Sequence, residues 1–107
     1  MEQGNTQKLL LSLGLCARAR ALIYGVPMIC DALRRGGKNS PLLVIEAADT
    51  SENTHKRLTD KCSYYNIRHV RLLCTGEELA AAVGKSSTIG AVAVTDENFV
   101  KLIEKNI

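Results

Sequence analysis

The side chains of this 107-residue chain able to do chemistry are few and scattered. His55 and His69 have no partner at ligand or catalytic spacing, and exposed helix and strand positions account for both. Asp49 and Glu52 form an acid pair, but their spacing is that of a helix-capping box. Gly84, Lys85 and Ser86 look like the tail of a phosphate-binding loop. The position of that loop's first glycine is held by Leu79, however, and the segment follows a helix where a phosphate cradle follows a strand. The cysteines Cys16, Cys30, Cys62 and Cys74 lack zinc-ligand or C-x-x-C spacing and sit in apolar patterns, as small buried hydrophobes of a reducing compartment do. No nucleophile–base pair, metal set or cofactor motif is present, so the sequence argues against an enzyme. Two connections remain as candidate binding elements. One is the turn at Gly25, where the N–H groups of a helix start can meet a phosphate or base. The other is the small polar loop over 85–90.

The elements that position these connections follow from periodicity. Leu42, Leu43, Val44 and Ile45 form a continuous apolar run, predicting a strand buried on both faces. Asp49 and Glu52 open a helix in which Thr54, Leu58, Cys62 and Tyr65 make one buried stripe, and Asn66 ends it in a left-handed conformation. Val70 and Leu72 alternate with His69 and Arg71, as in a strand covered on one face. Upstream, a helix capped at Asn5 or Thr6 buries Leu9, Leu10, Leu13, Cys16 and Ala17, with Gly14 allowing a close contact. A short strand over 21–24 and a helix with Pro27 in its first turn follow; that helix buries Val26, Ile29, Cys30 and Leu33 and ends at Gly36-Gly37. Downstream, Thr75 and Glu78 form a capping box for a short helix stopping at Gly84. Residues 91–94 make an apolar strand, and Asp96 caps a last helix burying Phe99, Leu102 and Ile103. The expected architecture is α/β: a three-layer α/β/α sandwich, with five helices around a four-stranded mixed sheet. Residues 1–107 form one domain, with no repeat or linker.

The net charge of +3 is unevenly spread. Residues 1–40 carry six Lys/Arg against two acids and residues 76–107 three against five, a polarity that fits a basic face toward nucleic acid, beside the plainer reading of ordinary surface charge. No apolar stretch is long enough to span a bilayer. The run LLLSLGLCA lacks a basic leader and runs into Arg18 and Arg20, so it reads as a helix of the mature protein. A cytoplasmic location follows from this reading.

Leu13-Gly14-Leu15, Arg18-Ala19-Arg20, the block DTSENT from Asp49, LTDKCSYY from Leu58, Val83-Gly84-Lys85 and AVAVTD from Ala91 carry a resemblance over almost the whole length. The chain resembles the small bacterial YlxQ-like proteins of the kink-turn-binding ribosomal protein family, whose archaeal member is called L-seven-Ae. The resemblance implies an α/β/α sandwich that binds sharply bent RNA without catalysis or cofactor, with RNA, the ribosome included, as partner. In that family the turn after the first strand reads the RNA. A glycine is followed by Asn and Glu, with a Lys three residues beyond the Glu, and these groups hydrogen-bond guanine edges and phosphate. Here Gly25 matches, but Pro27, Met28 and Asp31 occupy the three polar positions, and Tyr24 stands where a basic residue usually precedes the glycine. Pro27 and Met28 offer no strong side-chain hydrogen bond, and Asp31 reverses a charge. Kink-turn specificity is therefore expected to be weakened or altered. The residues assigned to RNA are Gly25, Val26, Pro27, Met28, Arg18, Arg20, Arg34, Lys38, Lys85 and Ser86, with the basic ones, Arg35 included, gripping phosphates around one face. The competing reading is a protein-interaction module or homodimer that uses Val26-Pro27-Met28 as an apolar patch.

Overall fold

The computed structural model describes residues 3–107, and side chains from residue 6 onward. In chain order the elements are α1 (Gln3–Arg18), β1 (Leu22–Tyr24), α2 (Val26–Arg35), β2 (Leu43–Glu46), α3 (Glu52–Tyr64), β3 (Arg68–Arg71), α4 (Gly76–Ala82), β4 (Ala91–Val94) and α5 (Glu97–Glu104). The strands lie in the order β1-β4-β2-β3. β4 is antiparallel to both β1 and β2, and β3 is parallel to β2, so the sheet is mixed as expected.

Both faces of this sheet are covered, and strand alternation decides which side chain meets which layer. Leu43, Ile45, Val92 and Val94 point toward α1, α4 and α5, where they meet Leu9, Leu13, Leu79 and Ile103. Val44, Ala91 and Ala93 point the other way, onto Ile29 and Leu33 of α2 and Leu58 and Cys62 of α3. Burial of each large aliphatic side chain contributes about 1.5–3 kcal/mol. Gly14 allows the close contact its position suggested: a Cβ there would stand 3.0 Å from the Ala82 carbonyl oxygen. Asn66 is left-handed at φ 58°, Thr75 and Glu78 complete a capping box, and the Asp96 side chain accepts from the N–H groups of Asn98 and Phe99, all as predicted.

Four local expectations are corrected. α1 already runs from Gln3, so Asn5 and Thr6 lie inside the helix rather than capping it. The buried strand is shifted by one residue: Leu42 is exposed, and the fourth position belongs to Glu46. Ser51, not Asp49, caps α3 by accepting from the Thr54 N–H. Asp49 reaches across the molecule instead, and its Oδ1 accepts from the Gly76 N–H at 2.8 Å. His69 is not an exposed strand residue, because α3 covers its face of the sheet and leaves its side chain only 13 % exposed.

Glu46 explains why a charged residue completes a buried strand. Its side chain is fully buried, with Oε1 lying 2.8 Å from His55 Nδ1 and 2.7 Å from His69 Nε2. The Thr50 hydroxyl donates to Oε2, and Arg71 Nε stands 3.7 Å from that oxygen. Burial pushes the carboxyl pKa up, but the bonds from Thr50, His55 and His69 outweigh burial and hold it below its ordinary value. The anion is thus the state the fold accommodates. Arg71 also donates to the carbonyls of Ala48 and Thr50, so one guanidinium ties β3 to the loop between β2 and α3.

Two outcomes are expected. Glu46→Ala strands two imidazoles and a guanidinium without their shared acceptor and should lower unfolding stability by about 3 kcal/mol, read by urea denaturation. All four cysteines are free and buried, and burial pushes the thiols of Cys16 and Cys62 up to about 11. Ellman's reagent at pH 8 should therefore react far more slowly with native than with urea-unfolded protein. Since these two pKa values are raised from 9.0 by folding, their stability contribution is complete below pH 9 and declines as pH rises toward 11.

Candidate nucleic-acid interface

The two connections singled out in the sequence, far apart in the chain, meet in one cleft. Its volume is about 700 Å³, and its walls are Tyr24 to Pro27, the segment from Asp49 through Thr50 and Thr54 to Arg57, and Lys85 to Gly90. Sheet order brings them together. β1 and β2 flank β4, so the turn leaving β1, the loop leaving β2 and the loop entering β4 emerge side by side.

Backbone contacts fix each wall. The Gly25 N–H donates to the Ala91 carbonyl at 2.9 Å and that of Ala47 to the Gly90 carbonyl at 2.8 Å, joining the outgoing turns to the start of β4. Gly25 has φ 87°, a left-handed value that glycine adopts without a Cβ penalty, and it directly precedes α2. A Cβ at Gly76 would lie 2.8 Å from the Ile89 carbonyl oxygen, so only glycine lets α4 begin against the 85–90 loop. The Asp49 carboxylate accepts from that same glycine's N–H, which joins the second wall to the third.

The first turns of α2 and α3 both border the cleft; that of α3 has its Thr54 N–H capped by Ser51 and carries Glu52. Arg57 and Lys85 add two cations, and Ser86, Ser87 and Thr88 add hydroxyls. Lys85 Nζ sits 4.4 Å from the centre of the Tyr24 ring, a cation–π contact that holds the ammonium at the rim. The arrangement suits an anionic ligand with stretches of polar backbone. No pair of groups within it has the geometry of a nucleophile and base.

Of the residues assigned from sequence, Gly25, Val26, Pro27, Lys85 and Ser86 line this cleft. Met28 stands just outside it with 55 % of its surface exposed. Arg18 lines a neighbouring hollow that shares Tyr24 and Lys85 with the cleft. Arg20, Arg34 and Lys38 line neither hollow. Arg34 and Arg35 lie about 13 Å along α2 from Gly25 and bind Asp31 at 2.6 and 2.9 Å. Those two bonds hold the Asp31 carboxyl below the usual range. The sequence reading missed Arg57, Thr50 and Thr54. Thr54 falls on the expected buried stripe, and Arg57 belongs to no motif; only its place one turn after Thr54 marks it.

Known proteins share both sequence and shape with this chain. Residues 7–104 match the Ribosomal protein L7Ae/L30e/S12e/Gadd45 family. The RNA-binding protein YlxQ of Bacillus subtilis (strain 168) is 36% identical over 92 residues, which span 85% of this chain and 87% of that protein. Its namesake from Enterococcus faecium is 33% identical over 101 residues, 94% of this chain and 92% of the relative. Among solved structures, a protein with unknown function from Bacillus halodurans superposes with a TM-score of 0.81 at 32% identity, covering 92% of this chain and 95% of that one. The Giardia lamblia 15.5kD RNA binding protein superposes with a TM-score of 0.80 at 17% identity, covering 99% and 87%, a likeness of fold alone. Matched along nearly its whole length, this chain belongs to the Ribosomal protein L7Ae/L30e/S12e/Gadd45 family.

Proposed function

We propose that this chain is a non-catalytic, cytoplasmic RNA-binding protein of one domain, whose cleft grips folded RNA, on the ribosome or elsewhere, with reduced kink-turn selectivity. The observation that carries this reading is the composition of the cleft. It combines two helix N-termini, Arg57, Lys85 and a run of hydroxyls with a lip at Pro27 and Met28 that has no side-chain hydrogen-bonding group. Such a surface meets phosphates and sugars well and reads base edges poorly. The relatives named as RNA-binding proteins support the ligand class.

Magnitudes favour reduced rather than abolished binding. Each base-edge contact is worth about 1–3 kcal/mol of discrimination, and specific binding exceeds non-specific binding by about 4–10 kcal/mol. Replacing two or three such contacts removes much of the selectivity and leaves the electrostatic part of the affinity. Arg34 and Arg35 contribute less to that part than their charge suggests, since Asp31 already engages both.

A fluorescence titration against a kink-turn RNA and a straight duplex of equal length, at two salt concentrations, tests the proposal. The native protein should bind both within about tenfold of one another, and the triple variant Pro27→Asn, Met28→Glu, Asp31→Lys should prefer the kinked RNA. Lys85→Ala should weaken binding to both RNAs alike and lower the salt dependence by about one counterion. A strong native preference for the kinked RNA would refute the reading of the lip. Absence of binding even at low salt would refute RNA as the ligand.

Met28 favours a second reading, in which Val26, Pro27 and Met28 seat a protein partner or a second copy. Only Pro27 and Met28 are exposed, because Val26 packs against the core beneath α2. On this reading the sedimentation mass rises with concentration in the native protein and stays monomeric in Met28→Lys.

A further inference from the structure

Outside the cleft, the most chemically capable constellation is the one around Glu46. It unites Glu46 at the end of β2, His55 in the first turn of α3 and His69 in β3. The parallel register opposes Val44 to His69 and Glu46 to Arg71, so His69 lies diagonally across from Glu46 on the same face of the sheet. His55 comes down onto that face from α3. One ligand-type atom from each of the three residues lies within 4.8 Å of the others.

We propose that Glu46, His55 and His69 form a binding site for one divalent transition-metal ion of the zinc class.

The two carboxylate oxygens of Glu46 have separate surroundings. Oε2 is held by the Thr50 hydroxyl and faces Arg71, whereas Oε1 has both imidazole nitrogens directed at it, His55 Nδ1 at 2.8 Å and His69 Nε2 at 2.7 Å. The ring centroids are 5.8 Å apart with the planes tilted by 46°, so the rings converge on the oxygen without stacking on each other. Tetrahedral ligation with bonds of about 2.0–2.2 Å separates donor atoms by about 3.3 Å. The present contacts need to open by about 0.5 Å for an ion to enter, a displacement that side-chain rotation supplies. His55 is 39 % exposed, so the cluster reaches solvent on its α3 side.

The donor set selects the ion. Two imidazole nitrogens and one carboxylate oxygen suit zinc and its first-row neighbours, while magnesium and calcium favour oxygen alone. Thr50 and Arg71 orient the carboxylate as partners behind a ligand do, although the positive charge of Arg71 lowers the affinity for a cation. A neutral ring enters by moving its N–H proton, through water, from the ligating nitrogen to its other nitrogen; an imidazolium releases one proton on binding. The Glu46 Oε1 exchanges its two hydrogen bonds for the metal ion, and no oxidant or reductant is involved.

Isothermal titration of the untagged, reduced protein with Zn²⁺ tests the site, with Co²⁺ as a spectroscopic probe. The expected result is one saturable equivalent, a higher melting temperature with Zn²⁺, and visible Co²⁺ bands without the near-ultraviolet charge transfer of a thiolate ligand. His55→Ala and His69→Ala should each weaken binding by about tenfold or more. His55→Ala keeps the test sound if variants at the buried positions unfold, since it alters a partly exposed helix residue. No saturable binding, affinity unchanged in both histidine variants, a Co²⁺–thiolate signature, or displacement of Zn²⁺ by millimolar Mg²⁺ would each overturn the proposal.

Discussion

A carboxylate placed where an apolar side chain would be cheaper governs much of this structure. Glu46 loses all contact with water, a cost of several kcal/mol for a charge, and the fold offsets it only by surrounding the carboxylate with donors. Those donors come from α3, β3 and the loop between β2 and α3, so satisfying one charge fixes the relative positions of three segments. Arg71 extends the same constraint by gripping the carbonyls of the β2–α3 loop. That loop is one wall of the cleft. The cleft therefore takes part of its shape from this polar cluster, which it meets at Thr50, rather than from hydrophobic packing alone.

The two apolar layers are unequal in kind. On one face, α1, α4 and α5 bury a broad aliphatic core against the sheet. On the other, α2 and α3 cover Val44 and the small residues Ala91 and Ala93, and because β1 and β2 both run antiparallel to β4, the helices that follow them start at the same end of the sheet. Strand direction and the polar cluster beside β3 thus serve one arrangement: two helices starting at a shared cleft.

Most of the fold was legible in the sequence because strong periodicities and caps agree with one another. The element order, the turn at Asn66 and the caps at Thr75 and Asp96 all follow from local patterns that tertiary structure did not override. The misses have physical causes. Glu46 follows four apolar residues and precedes two alanines, so its charge reads as the end of a strand; nothing local announces that two distant histidines will meet it. Asp49 carries the same capping signature whether or not its side chain turns away to Gly76, and Ser51 was equally able to cap. The cleft was half legible. Gly25 and the 85–90 loop stood out by composition, but Thr54 and Arg57 join them only because strand order brings α3 alongside, and strand order is a long-range fact. Arg34 and Arg35 show the converse, since a nearby acid one turn away decided their role and distance from the turn decided the rest.

The cleft walls come from residues near positions 25, 50 and 88, segments that adjoin only once β4 has inserted between β1 and β2. In a chain that has lost that central strand, the concavity does not exist in any partial form. A ligand bridging the three walls is therefore linked to the most global of the protein's opening motions, rather than to the fraying of one loop. Its imprint in amide hydrogen exchange would fall on β4 and its two neighbours in the sheet, well beneath the surface it touches.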